Sequence, residues 1–229
     1  MLPDICKNWL SNSNVRDFSV ANSSNSLKDN SQEMESLKGK TKVTRLTLKN
    51  NALLSNQYLN SVLSTMTGME YLQLYGCSLL TDVSFAKNMP NLKELDIRGT
   101  GILDMSPLDN YIKQKGSTKL QTIVIDNPSM DMTKMQTIIN KINHGNNDYS
   151  SWIGADYIKY RAIMLIGDGY DFSKCTEITK WDSANALDSG TIDLTGCTSL
   201  KSFSNYGSAR SYILPSGLTS YFSRSKTRY

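Results

Sequence analysis

Apolar side chains recur at one spacing along most of this chain. Val43, Leu46, Leu48 and Asn51 fit the pattern L-x-x-L-x-L-x-x-N/C. Met69, Leu72, Leu74 and Cys77 repeat it 26 residues later. Leu92, Leu95 and Ile97 follow 23 residues on, with Thr100 in the last slot, and Leu120, Ile123 and Ile125 come 28 after those, with Pro128 there and Asn127 just before it. Upstream, Val15, Phe18 and Val20 match 28 residues before Val43. Downstream, Ile192, Leu194 and Cys197 match, and Tyr212 with Leu214 match more weakly. Each L-x-L predicts a short strand whose two template residues face inward while the residue between them faces out. A single strand and its return loop cannot bury an apolar face, so the pattern demands neighbours stacked as parallel strands.

Between Ile125 and Ile192 two registers stay open. Ile163 and Leu165 fill the strand positions if the step of 40 residues holds an insertion. Alternatively Tyr170, Phe172 and Cys175 align, 22 residues ahead, with Ile192, Leu194 and Cys197. The first is preferred, because Asp171 and Ser173 then fall where Asp82/Ser84 and Asp104/Ser106 fall after their own strands. The returns differ along the chain. Tyr58, Leu59, Val62, Leu63 and Met66 predict a helix from Asn56 to Met66, and Met132, Met135, Ile138, Ile139 and Ile142 predict a second from Met130 to Ile142. Residues 22–40 read as a polar first return, Thr198 to Ser211 is too short and Ser-rich for a long helix, and 143–159 reads as an insertion loop. Before the repeats, Leu2, Ile5, Cys6, Trp9 and Leu10 recur at helical spacing and predict a short amphipathic helix in residues 1–14, covering the end of a core or docking on a partner.

The segment NLKELDIRGTGILDMSPLDN (91–110) resembles the repeats of internalin-like proteins, and GTIDLTGCTSLKSF (190–203) with ILPSGLTS (213–220) resembles BspA-type repeats. The chain thus resembles bacterial leucine-rich repeat proteins. That resemblance implies an α/β fold: a curved leucine-rich repeat solenoid with short parallel strands on the concave face and helices or irregular loops on the convex face. It spans residues 15–229 in about seven or eight repeats behind the 1–14 helix. It further implies a non-enzymatic, monomeric module that binds a protein or glycan, with adhesion or host contact at a bacterial surface as its setting. A structural component of a virion or cell envelope, or an intracellular scaffold, are the alternatives.

Such a module binds through outward strand positions. In the middle of successive strands these read Ser19, Thr47, Gln73, Asp96, Val124, Met164, Asp193 and Ile213; flanking positions add Arg45, Lys49, Tyr71, Tyr75, Glu94 and Arg98. The expected binding patch is Arg45, Thr47, Lys49, Tyr71, Gln73, Tyr75, Asp96 and Arg98, extended by Val124 and Met164. Tyr and Arg are enriched at interface hot spots, although strands also accept Thr, Tyr and charge for their own sake. Tyr75 and Arg98 occupy matching slots on adjacent strands, which predicts a cation–π contact. Val124 and Met164 are apolar where water is expected, so either the insertion covers them or they form an apolar binding area.

Composition narrows the chemistry. The 229 residues include 39% hydrophobic and 20% charged side chains, with a surplus of Ser, Asn and Thr that suits turns and edges. A net charge of +4 spread along the chain does not argue for nucleic acid. No apolar run approaches the roughly 18 residues of a membrane-spanning helix. His144 is the single histidine, which excludes His₂ and His₃ metal sites and leaves no visible partner for acid–base work; a helix C-terminus is its expected place. Cys6, Cys77, Cys175 and Cys197 show no metal-ligand spacing, and Cys77 and Cys197 fall in the Asn/Cys slot, a structural position. No cofactor is implied, and Gly167-Asp168-Gly169 reads as a turn without a phosphate-binding pattern. Asp82, Asp104 and Asp171, each with Ser two residues on, predict loop hydrogen bonds rather than a catalytic pair. The opening MLPDICKNWLSN is no signal peptide, so the protein stays inside or has lost a leader. The basic tail FSRSKTRY reads as a solvated end.

Overall fold

The computed structural model describes residues 12, 14–20, 27–142, 163–183, 190–205 and 211–223. Most of segment 1–14, the 143–159 insertion with His144, and the tail at 224–229 lie outside the described residues. The chain divides into two compact units, Met1–Ile102 and Leu103–Tyr229.

In the first unit, β1 (Asp17–Val20), β2 (Arg45–Leu48), β3 (Tyr71–Gln73) and β4 (Glu94–Asp96) pair in parallel and in chain order. The register is the one the repeat predicts: Phe18, Leu46, Leu72 and Leu95 stand side by side, as do Ser19, Thr47, Gln73 and Asp96. The inward residues Leu46, Leu48, Leu72, Leu74 and Leu95 are fully buried. Strands β2, β3 and β4 start alike. The carbonyl of Arg16 accepts the N–H groups of Thr44 and Arg45, that of Thr44 accepts Glu70 and Tyr71, and that of Glu70 accepts Lys93 and Glu94.

Returns in this unit bury their apolar residues against the strands. Helix α1 (Gln32–Leu37) stands within the return read from sequence as merely polar; Ser31 caps it by accepting from Met34 N–H, and Met34 and Leu37 are its buried side. Helix α2 (Asn56–Leu63) buries Tyr58, Leu59, Val62 and Leu63, and ends three residues before the expected Met66. The next return is a 3₁₀ turn, Ser84–Asn88, with Phe85 and Ala86 inside. Polar α2 residues tie the two returns together. Asn56 Oδ1 accepts the N–H groups of Thr81 and Asp82, while Asn60 Nδ2 donates to the Asp82 carbonyl. The Asn/Cys slot serves backbone groups as expected: Asn51 Nδ2 donates to the Lys49 carbonyl at 2.9 Å, Cys77 Sγ to Leu48 at 2.9 Å, and Thr100 Oγ1 to Ile97 at 2.6 Å. At Gly76, with φ +77°, an added Cβ would lie 2.4 Å from Asn50 Oδ1, so successive loops approach too closely for a side chain.

The second unit changes style. Helix α3 (Ser106–Lys115) opens with a proline in its first turn and buries Leu108 and Ile112. Strand β5 (Thr122–Ile125) pairs in parallel with β6 (Ile163–Leu165), Ile123 opposite Ile163 and Ile125 opposite Leu165, which settles the register in favour of the preferred alignment. The helix expected from Met130 to Ile142 is a 3₁₀ turn, Met132–Met135, running into α4 (Gln136–Lys141). Asn140 on α4 takes the Thr179 N–H on its Oδ1 and donates to the Glu177 carbonyl.

Beyond β6 the described strands fall into two sheets. β7 (Lys180–Ser183), β9 (Ser202–Asn205) and β11 (Ser220–Ser223) form one parallel sheet; β8 (Thr191–Asp193) and β10 (Ser211–Ile213) form another. The first of these sheets reuses the shared-carbonyl start, with Thr179 accepting Lys201 and Ser202, and Lys201 accepting Thr219 and Ser220. An aromatic chain fills the space between the strands: Phe172 meets Trp181 edge-on at 5.1 Å, Trp181 meets Tyr212 at 6.2 Å, and Phe203 meets both Tyr212 and Tyr221. The rejected alignment nevertheless reports a real stacking. Gly196 sits so close to Ser173 that an added Cβ would lie 2.5 Å from its Cα. The two segments with similar sequence are thus neighbours in space, although 170–172 is not a strand.

Cys77, Cys175 and Cys197 are free thiols in the core. Burial pushes Cys77 up to about 11 and Cys175 and Cys197 up to about 12, so all three stay protonated and unreactive at neutral pH. Iodoacetamide at pH 8 should leave these three unmodified in the native protein and alkylate them only in denaturant, as read by peptide mass spectrometry. Rapid native labelling of any of them would show that its repeat is not packed as described.

Candidate functional site

The first unit's sheet carries a grid of nine residues in three columns. Alternation along each strand sets Arg45, Thr47 and Lys49 on one side of β2, Tyr71, Gln73 and Tyr75 on the same side of β3, and Glu94, Asp96 and Arg98 on that of β4. The register sets the rows: Arg45 beside Tyr71 beside Glu94, and Thr47 beside Gln73 beside Asp96. The ladder runs past the strand ends, since the Tyr75 carbonyl accepts Asn50 N–H and the Arg98 carbonyl accepts Gly76 N–H. Lys49, Tyr75 and Arg98 form the third row.

Within the grid, cations lie on aromatic rings. The Arg45 guanidinium carbon is 4.3 Å from the Tyr71 ring centre, and Arg98 is 5.0 Å from that of Tyr75, the contact expected from their matching slots. Lys93 also reaches Tyr71, at 5.6 Å, and pairs with Glu70 at 2.7 Å. Arg98 folds back on Asp96 as a fork, Nε to Oδ1 at 2.9 Å and Nη2 to Oδ2 at 2.6 Å. The Asp96 carboxylate takes the Arg98 backbone N–H as well, at 3.1 Å.

These contacts correct the expectation that all the patch residues face water. Thr47, Tyr71, Gln73 and Asp96 are buried, as is Glu94. Strands about 4.8 Å apart bring long side chains over their neighbours. Arg45 and Lys93 close over Tyr71, and Arg98 closes over Asp96. Tyr75, at 39% exposed, is the open ring, and Arg45, Lys49 and Arg98 keep partial exposure. In the second unit Val124 and Met164 are also buried; they pack together with Ile166, so they offer no open apolar area. The insertion expected to cover them lies outside the described residues. Farther along, Asp193 and Ile213 are exposed.

Lys93 and Glu70 were not among the expected patch residues, because each stands one position before its strand. The signal that finds them is their shared repeat slot, 23 residues apart and opposite in charge.

A concavity of about 360 Å³ lies in the second unit against Tyr170, Asp171, Phe172, Ser173, Asp193, Thr195 and Gly196. Its two carboxylates are already engaged. Asp171 accepts Ser173 N–H at 2.8 Å, and Asp193 accepts the N–H and hydroxyl of Thr195. Those partners hold both carboxyls below the ordinary value, the Ser173 hydroxyl at Asp171 and the Thr195 hydroxyl at Asp193. The same turn recurs at Asp82/Ser84, Asp104/Ser106 and Asp131/Thr133, so it belongs to the repeat. Among the described residues no group of three His, Cys, Asp or Glu side chains could hold a metal ion, and no helix is long and apolar enough to cross a membrane.

No family model matches this chain, and no curated protein matches it. Among solved structures it is similar to an internalin from Listeria monocytogenes, at 15% identity and a TM-score of 0.34, over 85% of this chain. This chain spans 65% of that protein's length. So remote a likeness carries no weight for function; the residues and contacts of the grid do.

Proposed function

We propose that this chain is a leucine-rich repeat binding module that takes a protein partner on the outward strand face of its first unit. The single observation behind this is the three-column grid, where arginines and tyrosines from successive repeats stack on one another around the open Tyr75 ring. Tyr and Arg held in fixed rotamers are the side chains that dominate interface energetics. A protein is preferred to a glycan because sugars stack on platforms of open rings, and in this grid Tyr75 alone is open while Arg45 and Lys93 cover Tyr71. By sequence resemblance to internalin-like and BspA-type repeats, adhesion at a bacterial surface is the setting that belongs to this proposal.

The test presents the intact chain to arrays of host extracellular proteins and of glycans, beside Tyr75→Ala. Tyr75 is exposed, so its loss should leave folding intact while weakening a protein interaction about 30-fold or more, as hot-spot tyrosines do. A partner bound equally well by the folded variant would remove this face from the account. Binding to glycans alone would replace the protein reading.

A further inference from the structure

The four cations around the grid are not equivalent. Lys93 is matched by Glu70 at 2.7 Å and Arg98 by Asp96 at 2.6 Å. Arg45 and Lys49 have no carboxylate within ion-pair distance among the described residues. Both belong to β2's column and stand four residues apart on one side of it, so their backbone positions are about 13 Å apart at roughly 3.3 Å per residue. Between them the Thr47 hydroxyl is buried and has no hydrogen-bond partner. A column of two unmatched cations is incomplete chemistry, and what completes it is negative charge.

We propose that the partner presents an acidic segment to this column, with two carboxylates spaced to meet Arg45 and Lys49. This rests on the outward-face reading and names the chemistry that the face recognises. Arg45 is held by the Tyr71 ring, so its guanidinium is fixed before binding and loses little freedom when a carboxylate arrives. An acidic peptide fits better than a sulfated polysaccharide. A polyanion needs a run of unmatched cations, whereas here acids already occupy Lys93 and Arg98 and leave two.

The experiment titrates the full chain, ¹⁵N-labelled, with a Gly/Ser peptide bearing two aspartates four residues apart. A peptide with lysines in their place and a heparin oligosaccharide are the other arms. The expected result is saturable shifts at residues 45–49 with the aspartate peptide and none with the lysine peptide. Binding should weaken at least 10-fold in Arg45→Gln/Lys49→Gln, a variant that keeps the side-chain stems, and should fall steeply with added salt. The charge-reversed Lys49→Glu should lose the aspartate peptide. Equal binding of the aspartate peptide by the folded glutamine variant overturns the proposal, as does heparin binding the same residues at least 10-fold more tightly. A protein partner lost in Tyr75→Ala yet unaffected by Arg45→Gln/Lys49→Gln would sink the acidic-segment proposal while the outward-face reading stood.

Discussion

Replacing Trp181 with alanine is expected to cost about 3–5 kcal/mol, the range for deleting a large buried aromatic side chain. Trp181 is 1% exposed and stands on β7 between Phe172 and Tyr212, so it packs the 170–176 segment against the later repeats beside the direct Ser173–Gly196 contact. Two terms add in that cost: the apolar area returned to water, and a cavity that rigid neighbouring strands cannot close. Trp181→Phe separates this account from a general sensitivity of the site. The indole N–H is buried without an acceptor, so phenylalanine gives up a donor that makes no bond here. It should therefore cost far less, about 1 kcal/mol. Urea denaturation followed by circular dichroism reads both values. An alanine variant within about 1 kcal/mol of the parent would mean that the aromatic chain does not hold the second unit together.

Removing Arg98 has the second large effect. Asp96 is fully buried, and two of the three described hydrogen bonds to its carboxylate come from the Arg98 side chain. Arg98→Ala strands a carboxylate in the sheet, and losing one partner of a buried pair costs about 3–5 kcal/mol. The Arg98 side chain is 25% exposed, so the lower end of that range is expected here. Asp96→Asn on top of Arg98→Ala should restore more than half of the loss, because a neutral amide is far less costly to leave half-satisfied. Strict additivity of the two changes in a double-mutant cycle would contradict a coupled pair. For this reason Arg98 is a poor probe of binding, and Tyr75 and Lys49 are better ones.

The first unit was legible in the sequence to the level of register. Its inward leucines are spaced by the repeat, and nothing but parallel stacking buries them. The same periodicity found β6, since Ile163 and Leu165 were matched to the strands before them. It missed α1, where only Met34 and Leu37 mark an apolar side in six residues, and α3, whose Leu108 and Ile112 make one turn of contact. It missed β7, β9 and β11 for another reason. In Lys180–Ser183 and Ser202–Asn205 a single aromatic points inward between polar neighbours, and a leucine template does not register it. Alternation identified which side of the sheet each grid residue takes, but not its exposure. Sequence spacing carries no information on how far Arg45, Lys93 and Arg98 bend back over Tyr71 and Asp96.

Hydrogen exchange of the chain, free and bound to whichever protein partner the arrays identify, tests the outward-face account most directly. Slowed exchange confined to residues 45–50, 71–76 and 94–99 is the predicted result, because a partner seated on the grid keeps water from the backbone and loop starts beneath it. Protection on α2 and the Ser84–Asn88 turn instead, with the three strand segments unchanged, would contradict it.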